Sequence, residues 1–146
     1  MAKQFKSLGE AIKYIKNAQT QASTAIGREV EDIVRETTKE NLYESYTPEN
    51  YKRTYDMLNM IRMTESTMNS VTVAIEDTGG HTSWEKPYPH VYVAPILEEG
   101  GYTWERGGRR KPPTKIIEDS VEKAEDVVPE TYIKAMASRG IKVNRK

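Results

Sequence analysis

The stretch Ser7–Leu42, SLGEAIKYIKNAQTQASTAIGREVEDIVRETTKENL, decides the fold. Ser7 and Glu10 have the spacing of a capping box, in which the hydroxyl accepts an orphan backbone N–H and the carboxylate reaches back. Leu8, Ile12, Ile15, Gln19, Ala22, Ile26, Val30, Ile33 and Thr37 then recur at intervals of three and four, and only Gln19 and Thr37 depart from an apolar stripe. The pattern predicts a helix over 8–42, about 35 residues and roughly 50 Å long at ~1.5 Å per residue. Gly27 is its weak point, because glycine costs about 1 kcal/mol against alanine in a helix interior. A kink, or two helices meeting there, fits the same pattern. The flank Asn17–Thr24, NAQTQAST, is small and polar. It suits either an ordinary solvent-facing side or the close approach of a neighbouring helix or second subunit.

Beyond the helix lies Tyr46–Ile61, YTPENYKRTYDMLNMI, in a region that holds Tyr43, Tyr46, Tyr51 and Tyr55 with Lys52 and Arg53 alongside. A tyrosine has a large apolar body and a polar tip, so it suits half-buried and interface positions better than a dry core. The residues allow a tyrosine-rich elbow that packs helix onto sheet, or an interface built on Tyr46, Tyr51 and Arg53. Pro48 sets an extended or turn entry to it.

A hairpin is predicted over 58–77. Val71, Val73 and Ile75 alternate with Thr72, Ala74 and Glu76, the period-2 pattern of a half-buried strand. Its partner is Met60–Glu65, with Ser66–Ser70 as the turn. Leu58, Met60, Ile61 and Met63 do not choose which face of that partner points inward. Residues 79–90 read as loop, since Pro87 and Pro89 exclude regular helix. Val91–Val93 reads as a third strand, and Pro95 opens a helical turn closed by Gly100. A second loop spans 100–113.

A helical region over 114–139 follows, with Thr114 as cap and Ile117, Val121, Ala124, Val128, Tyr132 and Met136 on one face. Pro129 predicts a kink or a short break. Gly140 reads as the C-terminal cap, and the basic tail 141–146 as loose. Two amphipathic helices flanking an alternating strand predict a single α+β domain over 1–146. In it the long N-terminal helix and the C-terminal helix pack on a small, mainly antiparallel sheet, with long loops.

Composition narrows the function classes. Acidic and basic residues number 22 each, so no global field draws the chain to DNA or to a membrane surface. There is no cysteine, which excludes disulfides, thiol catalysis and thiolate metal sites and fits a reducing cytoplasm. No apolar run reaches the about 18 residues that would span a bilayer, and MAKQFKSLGEAIKYIK lacks the continuous apolar stretch of a secretory signal. With one phenylalanine, Phe5, and two tryptophans, Trp84 and Trp104, the core is left to Ile, Val, Leu, Met and Tyr.

The chemistry-bearing residues do not form a recognisable catalytic set. His81, Glu85 and His90 share a proline-containing segment, but a metal site needs three or four convergent ligands, and the helical H-x-x-x-H and H-E-x-x-H spacings are absent. Glu98–Glu99 has no third acid or lysine at a nuclease-like spacing, and no G-x-S-x-G elbow occurs. The expectation is no enzyme, no catalytic residue, no metal and no cofactor. The stretch 106–111 places Arg106, Arg109, Arg110 and Lys111 on a glycine-containing backbone. Such cations can neutralise phosphates without reading sequence, or can meet acids of an adjoining subunit. Trp84, Tyr88, Tyr102 and Trp104 stand in the glycine- and proline-rich loops and read as anchors for a partner.

The succession of a long helix, Y-x-x-x-x-Y-x-R-T-x-x-x-L (Tyr46–Leu58) and a hairpin resembles the neck and tail-completion (head–tail connector) proteins of long-tailed bacteriophages. The family's Y-A-x-x-V-E-x-G motif is similar to Tyr92–Gly100, YVAPILEEG, and its R-P-F loop ending to Arg110–Pro113, RKPP. Pro95 and the missing aromatic after the prolines depart from those patterns. Laid over about residues 8–140, the resemblance implies an α+β virion structural protein without catalytic role. It would form a homo-oligomeric ring, of about six or twelve copies, that joins the head's portal complex to the tail around the DNA channel. Implied partners are portal, adaptor or stopper proteins on one side and tail tube or tail terminator proteins on the other. Contact with channel DNA through 106–111 would be non-specific, no membrane would be involved, and the protein would be made in the host cytoplasm and end in the virion neck. The alternative is a nucleic-acid-binding or DNA-processing protein that uses the basic loop 106–111 outside any particle.

Overall fold

A computed structural model describes residues 3–44, 56–76, 81–83, 86–88, 101–102, 110–111 and 114–145. Helix α1, Leu8–Thr38, continues into a π-helical turn, Lys39–Tyr43. Helix α2, Asp56–Met60, leads into strand β1, Ile61–Ser66, and then β2, Val71–Ile75. Strands β3, His81–Ser83, and β4, Lys86–Tyr88, precede β5, Gly101–Tyr102, and β6, Arg110–Lys111. Helix α3, Ile116–Ala137, follows. The architecture is α+β, with a long helix near each end and an antiparallel hairpin. Among the described residues the strands form three separate two-stranded ladders, β1–β2, β3–β4 and β5–β6, rather than one sheet.

Local chemistry explains the ends of α1. The Glu10 N–H donates to Ser7 Oγ at 3.2 Å, and the Ala11 N–H to the Ser7 carbonyl at 3.2 Å. Glu10 reaches back as a capping glutamate does, but its Oε2 accepts the N–H of Lys6, at 2.8 Å, one residue earlier than the box predicts. At the other end the Glu44 N–H donates to the Lys39 carbonyl at 2.8 Å, the five-residue step of a widened turn. The helix runs through Gly27 without interruption. Gly27 is buried, and a Cβ built there would fall on Met63 Sδ and within 2.6 Å of Val71 Cγ2. Its role is to let the hairpin approach the helix backbone.

The face that α1 buries departs from the predicted stripe at the N-terminal end of the helix. Leu8 is 78% exposed, Ile12 43% and Ile15 42%. Ala22 and Thr37 of the stripe are buried, and so are Ala18, Ser23, Val34 and Thr38 beside it. The buried face thus keeps the stripe at Ala22 and Thr37 and extends one position before it at Ala18 and one after it at Ser23, Gly27, Val34 and Thr38. Small side chains at these positions admit close packing, and close packing rather than bulk selects the inward face. The NAQTQAST flank is therefore part of the buried side at Ala18, Ala22 and Ser23.

The chain packs as two compact units: Met1–Ile33 with Met63–Val73 and Glu122–Lys146, and Val34–Arg62 with Ala74–Val121. In the first, Ala18, Ala22 and Met136 form a core on which Tyr132, Ala135, Ile141 and Val143 pack. Ile141 and Val143 belong to the segment predicted to be loose, and this packing holds them. In the second, Val34, Leu42, Met60, Ile61, Ile75 and Ile116 are buried. Ile61 is buried and Met63 partly so, which settles the inward face of β1, while Met60 closes the preceding helical turn.

Helix α3 passes through Pro129 with no break in the helical run, so of the kink or short break expected there the break does not occur. Its first backbone bond, Asp119 N–H to the Lys115 carbonyl at 2.9 Å, makes Lys115 the residue that opens the helix, at a left-handed φ of 53°. At its end Gly140, φ 74°, completes a Schellman motif. The Ile141 N–H donates to the Met136 carbonyl at 3.0 Å and the Gly140 N–H to that of Ala137 at 2.9 Å.

Both stretches read as loops contain ladders. β3 and β4 pair His81 with Tyr88, Thr82 with Pro87 and Ser83 with Lys86. β5 and β6 pair Gly101 with Lys111 and Tyr102 with Arg110. Pro87 is compatible with a strand here because, among the described residues, each strand of this pair has an open edge, where a missing N–H breaks no ladder.

Candidate functional site

Two assemblies of side chains fix α1 and leave one of its faces to solvent. Near the N-terminus, Tyr14 is the hub: its hydroxyl donates to the Arg139 carbonyl at 2.7 Å. Its ring meets that of Phe5 at 5.3 Å between centroids, tilted by 51°, and Lys3 Nζ stands 3.9 Å above it. Tyr14 thereby ties the first turns of α1 to Arg139, two residues beyond α3. Leu8, Ile12 and Ile15 lie beside this anchored face and stay exposed. They form an apolar stripe whose orientation the hub holds.

The second assembly clamps the hairpin. Glu31 Oε2 accepts the Met63 N–H at 2.9 Å, while Ser23 Oγ donates to the Met68 carbonyl at 3.3 Å and Thr24 Oγ1 meets Ser66 Oγ at 3.2 Å. Arg35 Nη2 donates to the Ile61 carbonyl at 2.8 Å. Glu31, Ser23 and Arg35 each take up a backbone group of the hairpin or of its turn, and Thr24 meets a side-chain hydroxyl on β1. Thr67 closes the turn itself, accepting from the N–H groups of Asn69 and Ser70 at 3.3 and 3.0 Å.

Asn41, on the π-helical turn, donates from one amide nitrogen to the Thr114 carbonyl at 2.8 Å and to Asp119 Oδ2 at 2.7 Å. This positions the start of α3, where Ser120 Oγ also donates to the Ile116 carbonyl. Ile117, 47% exposed, and Val121, 54% exposed, then face solvent one helical turn apart.

The sequence-predicted residues fare unevenly. Tyr88 pairs with His81 in the β3–β4 ladder, and Tyr102 with Arg110 and Lys111 with Gly101 in the β5–β6 ladder. Tyr46, Tyr51, Arg53, Trp84, Trp104, Arg106 and Arg109 lie outside the described residues, as do the third strand at 91–93 and the turn at Pro95. Among the described residues no group of three or more His, Asp or Glu is arranged to hold a metal ion, and no helix is long and apolar enough to cross a membrane. Sequence reasoning did not single out Tyr14, Glu31, Arg35 or Asn41. Only the small-residue flank beside Tyr14 signalled that this side of α1 packs closely.

Comparison with known proteins places the chain in a family. The YomN family model matches residues 5–141. No curated protein matches, and no solved structure matches. The chain belongs to the YomN family, a phage-associated family named after a gene of the Bacillus phage SPbeta region.

Proposed function

We propose that this YomN-family chain is a structural, non-catalytic subunit of the phage particle: a neck or tail-completion protein that assembles into an oligomeric ring joining head to tail around the DNA channel. The observation that carries the reading is an apolar stripe held out on an anchored helix. Leu8, Ile12 and Ile15 stay exposed on a 31-residue helix whose other face is tied down by Tyr14, Glu31 and Arg35. Large exposed apolar side chains set side by side mark interaction surfaces. The phage association of the family and the resemblance of the helix–connector–hairpin succession to connector proteins support the reading of such a surface as serving the neck. Portal, adaptor or stopper proteins and tail tube or terminator proteins are the partners of this reading.

The test is genetic and structural. A phage lacking this gene should accumulate filled heads and complete tails that do not join, and complementation should restore joined particles. Joined, infectious particles from the deletion strain would overturn the proposal. The purified chain should also bind duplex DNA weakly, because a few cations on a neutral chain release few counterions. Tight, salt-sensitive binding abolished by serine at Arg106, Arg109, Arg110 and Lys111 would favour a nucleic-acid-binding protein instead.

A further inference from the structure

The two exposed apolar patches carry opposite charge. On α1, Lys16 follows Ile12 by four residues and so lies on the same side of the helix, with Lys13 next to it; both lysines are exposed. On α3, Glu125 follows Val121 by four residues, and Glu118 lies seven residues before Glu125 on the same side; both are exposed. Lys115 stands 3.6 Å from Glu118, a pairing between well-exposed groups that contributes little.

The helix dipole accounts for only part of these charges. Acids in the first turn complement the helix dipole, which covers Glu118 and Asp119. Glu122, Glu125 and Asp126 stand beyond that turn, where the effect has faded. Lysines in the N-terminal half of α1 gain nothing from a dipole whose positive end is there.

We propose that the Leu8–Ile12–Ile15 stripe of one copy docks on the Ile117–Val121 patch of a second copy, with Lys13 and Lys16 facing Glu118 and Glu125. Pairing like patches is disfavoured, because lysines would meet lysines on α1 and acids would meet acids on α3. The contact therefore joins unlike patches, α1 of one copy on α3 of another. The inference goes beyond the proposed function by naming both halves of the contact. It holds whether or not the assembly belongs to a virion.

The experiment uses the full chain and measures mass by light scattering or sedimentation over a micromolar-to-millimolar series, at low and high salt. The unmodified chain should gain mass with concentration, and salt should weaken the gain. The double variants Lys13→Glu/Lys16→Glu and Glu118→Lys/Glu125→Lys should each remain monomeric, since each then presents like charge on both patches. Mixing the two should restore association, because the acidic α1 of one then meets the basic α3 of the other. All four positions are exposed, and circular dichroism of each variant should match that of the unmodified chain. A chain that stays monomeric throughout the series overturns the proposal. So does loss of association in only one of the two variants, or a mixture that stays monomeric.

Discussion

At the residue scale, Gly27 shows propensity and packing pulling in opposite directions. Alanine is the better helix former by about 1 kcal/mol, so Gly27→Ala on an isolated helix would stabilise. In this fold the added methyl meets Met63 Sδ and Val71 Cγ2. Met63 can swing away, but the β-branched Val71 cannot. Gly27→Ala should therefore destabilise by about 1–3 kcal/mol, the usual cost of overpacking, as read by urea denaturation, and adding Val71→Ala should recover part of the loss. A Gly27→Ala chain more stable than the original would refute the close approach. Tyr14→Phe keeps the ring contact with Phe5 and removes only the bond to the Arg139 carbonyl. It should cost about 1 kcal/mol, and a change within error would mean that water replaces the hydroxyl without loss. Neither residue announces its role in the sequence: Gly27 reads as a defect, and Tyr14 falls one position off the apolar stripe.

At the scale of elements, α3 carries two tests in opposite directions. Pro129 lies inside a helix that continues past it, lacking the N–H that an interior residue donates. Replacing it with alanine should raise stability by about 1–3 kcal/mol, with higher helicity by circular dichroism. An unchanged or lowered midpoint would show that the ring's packing outweighs the missing bond. Gly140→Ala should lower stability by about 1–2 kcal/mol, because φ 74° is left-handed backbone that a Cβ disfavours. No neighbour lies within 4 Å of the added atom, so the loss would come from the backbone alone. The glycine cap was legible from composition and position. Continuity through Pro129 was not, since a proline inside a periodic pattern is compatible with a kink, a break or neither, and the surrounding contacts select among them.

At the scale of the whole molecule, amphipathic periodicity and strand alternation determined that there would be a long helix, a hairpin and a terminal helix. Those patterns express backbone geometry, 3.6 and 2 residues per repeat, and so are written locally. The start of α1 at Leu8, the strand Val71–Ile75 and the cap at Gly140 follow from residues within a few positions of each. Which face of α1 turns inward is not local. A stripe of leucine and isoleucine and a flank of alanine, serine and glycine both offer a route to burial, and the choice depends on what arrives from elsewhere in the chain. Met136 packing on Ala18 and Ala22, and Met63 and Val71 crossing Gly27, made that choice. The short ladders β3–β4 and β5–β6 escaped for a related reason: their pairings need partners up to ten residues away, and two or three residues carry too little alternation to be read alone. The sequence by itself determined the elements, the absence of cysteine chemistry and the balance of charge. Only the tertiary structure decided that Leu8, Ile12 and Ile15 would remain outside, because burial is settled by close packing among distant residues and not by the hydrophobicity of any one stretch.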